Sequence, residues 1–340
     1  MTDSTPPIPQ PGHARHVPLL MYGVLFLCLG LAMYLVGVLM GPTRLLFGLN
    51  DRLLAINEWI IWYSGIPMII GLVLGAVDLF LFYPSKRQFG RGLRDVLATE
   101  RVTVALTAYN DEQSIAAAVE DFRAHPKVGT VIVVSNNSND ATLERAIQAG
   151  ALAFNEERQG YGHCVRRCLS EAVRLGESDL IVLSEGDRTF RAFDIDKLLA
   201  YAPHGDIING TRTVEALREY DTQLSTFMYY GNLFVGKLLE AKHLGRSTIT
   251  DVGTTYKLCR RAAIEQLLPI LRADVVNLEF NAYFVDTALG RGYRFIECPI
   301  TFHPRVGVSK GGNVNNLRAM QVGLRMMAGI VFGWRGTSTP

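Results

Sequence analysis

The sequence predicts an α/β chain in which a mostly parallel sheet, covered by helices on both faces, follows a hairpin of two membrane-length helices. Three observations carry that reading. Residues 17–41 contain no charged residue, and residues 59–83 contain only Asp78. Beyond residue 100, short apolar runs rich in β-branched residues alternate with stretches of helical rhythm. The runs are apolar on both faces, as strands buried between two helix layers are. The composition agrees: 340 residues, 49% apolar and 19% charged, with a mean hydropathy of +0.16, place part of the chain in lipid.

The expected division is a disordered, Pro/Ser/Thr-rich segment over 1–16, two transmembrane helices within 17–83 (17–41 and 59–83), a basic juxtamembrane linker over 84–100, an α/β domain over 101–312, and an amphipathic helix and tail over 313–340. At 1.5 Å per residue each apolar run is long enough for a hydrocarbon layer of ~30 Å. Trp59, Trp62 and Tyr63 at one end of the second run and Tyr83 at the other suit the two interfaces. Asp78 is expected near a helix end, within reach of headgroup water. The first run is too long for a signal peptide, and no small-x-small site follows it. Lys86, Arg87, Arg91 and Arg94, with Arg15 before the first helix, place the α/β domain and both termini on the cytoplasmic side.

In the domain, strands are expected at 102–106, 130–134, 151–155 and 179–183, and helices at 114–124, 140–149 and 162–175, with Asp140 as an N-cap. Leu317, Met320, Leu324, Met327 and Phe332, with Arg318 and Arg325, make the last helix amphipathic and suited to a membrane interface. The five cysteines are odd in number and form no CxxC pair, so a disulfide framework is not expected. His163, Cys164 and Cys168 lack a second ligand pair at zinc spacing. A net charge of +2 gives no support to a nucleic-acid binder.

Ligands of a parallel sheet bind beyond the carboxyl ends of its strands. The residues there are polar: 107–112 after the first strand, 135–142 after the second and 184–189 after the fourth. Glu185 and Asp187 stand one residue apart at the mouth of a buried strand, and alternate residues of extended chain point the same way. Such a pair can bind a divalent cation, which in turn can grip a diphosphate.

Here the chain resembles the family 2 glycosyltransferases of the GT-A fold. Val-Ala-Leu-Thr-Ala-Tyr-Asn-Asp-Glu at 104–112 is similar to their first-strand signature, and 133–142 to their Asp-Asp-Gly-Ser-x-Asp-Gly-Thr element. Arg158-Gln159-Gly160-Tyr161-Gly162 follows, then Glu185-Gly186-Asp187 in the place of Asp-x-Asp, then Asp-Ile-Ile-Asn-Gly-Thr-Arg at 206–212. Each motif is weak alone; five in order over about 110 residues are specific. Residues 251–261, 277–280, 292–300 and 305–310 are similar to motifs of the polyprenyl-phosphate mannose and glucose synthases. The pattern departs at Ser135 and Asn136, where the family has paired aspartates, and at Tyr229 and Tyr230 in the aromatic helix 226–239, where an arginine is expected; Arg218 or Arg246 are the substitutes offered.

The resemblance implies a nucleotide-sugar donor surrounded by Ala108, Tyr109, Asn110, Glu112, Asn136, Gly160, Gly162, Glu185 and Lys310, with Asp111 also on the nucleoside side. It implies Mg²⁺ or Mn²⁺ on Glu185 and Asp187 with Thr189, and Arg212, Arg305 and Lys310 as phosphate contacts. Asp187, Asp251, Arg212 and Arg305 are the residues expected to carry catalysis, Asp251 orienting the acceptor or acting as a base if that acceptor is a hydroxyl. The expected protein is a membrane-anchored inverting hexosyltransferase acting on a polyprenyl phosphate, with no nucleic-acid partner. Three alternatives stay open at this point: a lipid or glycan hydroxyl as acceptor, a degenerate transferase serving as a membrane scaffold, and association of copies through the helices.

Overall fold

The computed structural model describes residues 17–47, 51–83, 101–307 and 316–334. They divide into two units: the N-terminal helices together with 238–246, and the remainder.

In the first unit, α1 (Leu19–Phe47) packs along α3 (Gly65–Val77). α2 (Asp51–Tyr63) leads into α3, and one further turn, Asp78–Phe82, has the wider π geometry. The segment from Pro42 to Glu58, which the sequence suggests as a linker, is therefore helical to Phe47 and again from Asp51. Asp51 supplies a negative charge to the first turn of α2, and Leu53, Leu54 and Ile56 continue its apolar content. The stretches Leu19–Pro42 and Asp51–Phe82 are long and apolar enough to cross a membrane.

Small residues set how closely α1 and α3 approach. A Cβ on Gly23 would lie 2.7 Å from the Gly71 carbonyl oxygen, and one on Gly71 would lie 2.6 Å from that of Gly23. Backbone contact of this kind needs glycine on both sides. Asp78 is fully buried, and its Oδ2 accepts a 2.8 Å hydrogen bond from the amide of Leu20, near the start of α1. The carboxylate expected to face headgroup water instead occupies the amino end of the neighbouring helix, where unpaired N–H groups and the helix dipole favour a negative charge. Gly71→Leu is expected to force α1 and α3 apart and lower the unfolding midpoint in a denaturing-detergent titration, a loss of about 1–3 kcal/mol. An unchanged midpoint would show that the two helices do not depend on this contact.

The second unit is built on a seven-stranded sheet of order β3-β2-β1-β4-β6-β5-β7. Its strands are β1 (Val102–Ala108), β2 (Val128–Ser135), β3 (Leu152–Asn155), β4 (Leu180–Glu185), β5 (Ile207–Thr211), β6 (Lys257–Arg260) and β7 (Phe295–Pro299). β3, β2, β1 and β4 run parallel, β6 is antiparallel to both β4 and β5, and β5 is parallel to β7. Every residue of β1 is buried, as expected of a central strand covered on both faces.

One face of the sheet packs on α4 (Ile115–Ala124) through Ile115, Ala118, Val119 and Phe122. α5 (Thr142–Gln148) follows β2; Ala141 is its cap residue, while Asp140 Oδ1 accepts from the Thr142 amide at 3.0 Å. α6 (Tyr161–Leu175) lies on β1 and β2, and its Cys164 and Cys168 thiols donate to the carbonyls of Val134 and Leu106. All five cysteines are free, and no cluster of three metal-ligating side chains occurs among the described residues.

Three later helices bear on the site: α8 (Thr226–Lys242), α10 (Phe280–Gly290) and α11 (Asn316–Phe332), with α7 (Ile195–Tyr201) and α9 (Arg261–Leu267) elsewhere in the chain. α11 packs on α10: Met326, Gly329 and Ile330 are buried, and Trp334 packs against Tyr283 with ring centroids 5.4 Å apart and donates its indole N–H to Asp286 at 2.6 Å. The helix expected to lie in a membrane interface therefore has one apolar stripe committed to this unit.

Candidate active site

The register brings the carboxyl ends of four strands level. Ala108 pairs with Ser135, Thr107 with Glu185, and Ser135 with Asn155. The loops that follow β1, β2 and β4 each turn on one non-glycine residue in the left-handed region: Asn110 (φ 52°), Asn137 (φ 55°) and Arg188 (φ 67°). Asparagine tolerates that conformation; arginine pays for it in strain, and such strain concentrates at functional sites.

The first two loops are sewn together. Asn110 Oδ1 accepts from the Asn139 amide at 2.8 Å, and the Asn110 amide donates to Ser138 Oγ at 2.9 Å. Glu112 Oε2 accepts from the Ala141 amide at 3.2 Å, and the Asp111 amide donates to Thr142 Oγ1 at 2.8 Å. Asn136 is used in the same way: its amide group donates to the carbonyls of Glu156 and Arg158, and its Oδ1 accepts from the Gly160 amide. The side chains of Asn110, Glu112 and Asn136, expected around the nucleoside, thus brace the loops that follow β1 and β2. Gly160 (φ 135°) and Gly162 admit the segment at Val275 and Val276: a Cβ on Gly162 would lie 2.3 Å from the Val275 carbonyl oxygen.

The carboxylates at the mouth of β4 differ in setting. Glu185 is half-buried, and its Oε1 accepts from Thr255 Oγ1, which in turn meets the Tyr161 hydroxyl. Asp187 is buried. Its Oδ1 accepts from the amide of Thr189 at 3.0 Å and from its hydroxyl at 2.6 Å, so Thr189 orients Asp187. Its Oδ2 accepts no hydrogen bond and lies 3.2 Å from Arg305 Nη1. Burial first, and the charge of Glu185 second, push the Asp187 pKa up to about 7 against the pull of Arg305. Arg305 reaches a third carboxylate, donating from Nη2 to Asp111 Oδ1 at 2.7 Å. Burial raises the Asp111 pKa despite that partner. One guanidinium therefore spans two buried carboxylates, Asp111 and Asp187, that lie far apart in sequence.

Asp251 and Arg212 form a second centre. Asp251 is fully buried. It takes Arg212 Nε at 2.7 Å and Nη2 at 2.8 Å, the amides of Arg212 at 3.0 Å and Gly253 at 3.2 Å, and the side-chain amide of Asn232. Burial would raise its pKa, but the charge and hydrogen bonds of Arg212 outweigh it and hold the carboxyl below its ordinary value. With five donors on two oxygens, Asp251 has no lone pair left for a substrate proton. The Arg212 guanidinium also lies over the Phe302 ring at 5.2 Å. Glu297 secures the backbone here, accepting from the amides of Thr250 at 2.8 Å and Asp251 at 2.9 Å.

Two cavities meet at these side chains. The first, of about 590 Å³, is lined by Ala108, Tyr109, Asn136 and Gly160 at one end and by Glu185, Asp187 and Arg305 at the other. The second, of about 260 Å³, is apolar: Leu224, Phe227, Met228 and Val235 from α8 and its approach face Met320, Met326 and Met327 of α11, and the floor is Glu185, Arg212, Asn232 and Arg305. Of the arginines offered as substitutes for the one missing at Tyr229 and Tyr230, Arg218 bridges to Phe302 and Arg246 belongs to the other unit. Lys310 lies outside the described residues, as do Lys86, Arg87, Arg91 and Arg94. Asn232, Thr255 and Glu297, which the sequence did not single out as site residues, are polar groups whose partners are remote in the chain.

No family model matches the chain. It is 25% identical over 210 residues to a dolichyl-phosphate hexose transferase of Haloferax volcanii, covering 62% of this chain and 86% of that one. It is also 25% identical to the glycosyltransferase AglJ of the same organism, over 61% of this chain and 64% of that one. Among solved structures, a mycobacterial protein superposes with a TM-score of 0.50 at 17% identity over 68% of this chain and 74% of that one, a likeness of fold. The ordered motifs, the sheet and the sequence relatives converge: this chain is a glycosyltransferase of the hexosyl-transferring type, similar to the family 2 enzymes of the GT-A fold.

Proposed function

We propose that this protein is a membrane-anchored, inverting transferase that moves a hexose from a nucleotide sugar to a polyprenyl phosphate. One observation carries the proposal: the polar donor cavity and the apolar groove share the floor Glu185 and Arg305. A molecule with a phosphate head and a hydrocarbon tail fits the groove with its head beside Arg212 and Arg305. A sugar held in the neighbouring cavity would present its anomeric carbon there. The similarity to a dolichyl-phosphate hexose transferase of Haloferax volcanii supports the same reading.

The chemistry agrees with this acceptor. A polyprenyl phosphate is already an anion at neutral pH, so its oxygen attacks the anomeric carbon as the bond to the leaving diphosphate breaks. No general base is needed, consistent with a saturated Asp251. Arg212 and Arg305 would offset the repulsion between acceptor phosphate and donor diphosphate.

Glu185 and Asp187 suit a divalent cation. Asp187 Oδ2 is buried and accepts no hydrogen bond, and the two like charges destabilise each other until a cation is shared. Bound there, Mg²⁺ or Mn²⁺ would stabilise the charge developing on the leaving nucleoside diphosphate. Thr189 orients Asp187 for that role, and Thr255 restrains Glu185.

The N-terminal helices would hold the enzyme in the bilayer, with the catalytic unit on the cytoplasmic side. Their outward apolar surface supports the anchoring, with Trp62 83% exposed and Phe80 80% exposed; the side rests on the basic residues at 86–94.

Purified full-length protein in detergent, given UDP- and GDP-hexoses, Mg²⁺ or Mn²⁺, and undecaprenyl or dolichyl phosphate, is expected to form a lipid-linked hexose. Donor turnover with transfer only to hydroxyl acceptors would replace the acceptor assigned here. Folded protein that binds no nucleotide sugar would point to a scaffold.

A further inference from the structure

Two of the cations expected on the donor phosphates, Arg212 and Arg305, are already engaged. Arg212 gives its fork to Asp251, and Arg305 divides its own between Asp111 and Asp187. A diphosphate entering the donor cavity would meet three carboxylates, Asp111, Glu185 and Asp187, balanced from the sheet side, among the described residues, by Arg305. Further positive charge comes from α11. Arg318, Gln321 and Arg325 line the donor cavity, whereas Ala319, Met320, Gly323, Met326 and Met327 line the apolar groove; Val322 borders both.

Positions 318, 321 or 322, and 325 fall on one stripe of a helix, and 319, 323 and 326 on the adjacent one. α11 is thus a partition with a cationic face toward one cavity and an apolar face toward the other. Its docking by Trp334 on Tyr283 and Asp286 fixes that orientation. With Arg318 and Arg325 counted, three guanidiniums stand against three carboxylates, so a divalent cation and a diphosphate can enter without leaving net charge. Arg325 has no ion-pair partner among the described residues and is exposed at the cavity mouth, where it can reach a ligand.

We propose that Arg325, supported by Arg318, binds the donor's diphosphate from α11, so that this helix both closes the donor cavity and separates it from the acceptor groove. This rests on the nucleotide-sugar part of the function proposed above and not on the identity of the acceptor. An arginine fork on a phosphate oxygen pair is a charge-assisted contact, and its loss at a partly exposed site is expected to weaken binding about tenfold.

The test is calorimetric binding of UDP, UMP, GDP and GMP to the full-length protein in detergent with Mn²⁺. Arg325→Gln is expected to weaken the preferred nucleoside diphosphate about tenfold while changing the matching monophosphate less than about twofold. Arg325→Lys is expected to recover part of the loss, and Arg318→Gln to show a smaller effect of the same kind. Unchanged monophosphate binding reports that the pocket is folded. Diphosphate binding equal to wild type in Arg325→Gln would overturn the proposal. So would that result accompanied by weaker sedimentation with anionic vesicles, which would assign the arginine to a lipid surface. If the wild type binds neither UDP nor GDP, the donor cavity itself is misassigned and this inference falls with it. If UDP or GDP binds as described but no lipid-linked hexose forms, only the acceptor reading fails.

Discussion

Asp187→Asn is expected to reduce transfer by at least about a hundredfold while leaving the protein no less stable. The substitution keeps the Oδ1 that accepts from the Thr189 amide and hydroxyl, so the turn after β4 survives. It removes the buried charge that burial and Glu185 both disfavour. Arg305 retains Asp111.

The sign of the pH dependence follows. The folded Asp187 pKa, about 7, is above the ordinary carboxyl value of 3.8. The folded state therefore holds this proton more tightly than the unfolded state. Ionising Asp187 costs stability progressively as pH rises from about 4 to about 7, and the full cost is present above that. Asp187→Asn is then expected to match wild type in urea midpoint at pH 4 and to equal or exceed it by about 1–2 kcal/mol at pH 8. In wild type, metal-dependent donor binding is expected to weaken as pH falls through about 7, because the protonated carboxyl competes with the cation. A variant that loses stability in step with activity would make Asp187 a structural residue and sink the metal assignment.

Asp251→Asn should have the opposite signature. It leaves the Arg212 guanidinium, whose side chain is 13% exposed, without its counter-charge. Breaking a buried, hydrogen-bonded ion pair from one side costs about 3–5 kcal/mol. Chemical denaturation would read this as a large fall in midpoint at neutral pH. The gap from wild type should narrow in acid, since the lowered Asp251 pKa means its contribution is lost as pH falls through that value. The double variant Arg212→Met with Asp251→Leu is expected to recover much of the stability, because a matched apolar pair avoids the desolvation of two charges, and to recover none of the transfer. If Asp251→Asn were as stable as wild type but inactive, Asp251 would be a base acting on the acceptor rather than the residue that holds Arg212.

The sequence by itself determined the first four strands of the sheet, the helices between them and the polar loops at their carboxyl ends; the antiparallel β6 and its neighbours β5 and β7 came from the tertiary structure. Strands buried on both faces are continuous apolar runs, and the loops after them are the polar segments between; both are local signals. That is why β1, β2 and β4 and the residues from Thr107 to Asp111 and from Glu185 to Thr189 are legible in the sequence alone. The boundaries moved by only a few residues where the strand ends are polar, as at Ser135 and Glu185.

The tertiary structure decided which partner each polar side chain takes. Arg305 meets Asp111 across 194 positions and Arg212 meets Asp251 across 39, and no periodicity encodes such pairings. For the same reason Asn110, Glu112 and Asn136, read as nucleoside contacts, are found tying loops together, and Asp78, read as a tolerated charge near water, lies at the start of α1. An amphipathic helix shows in its sequence that it has two faces but not what each face meets. Only packing against α10 set α11 between a polar cavity and an apolar one, because a buried polar group is stable where its partners are, and their place is fixed by the whole chain.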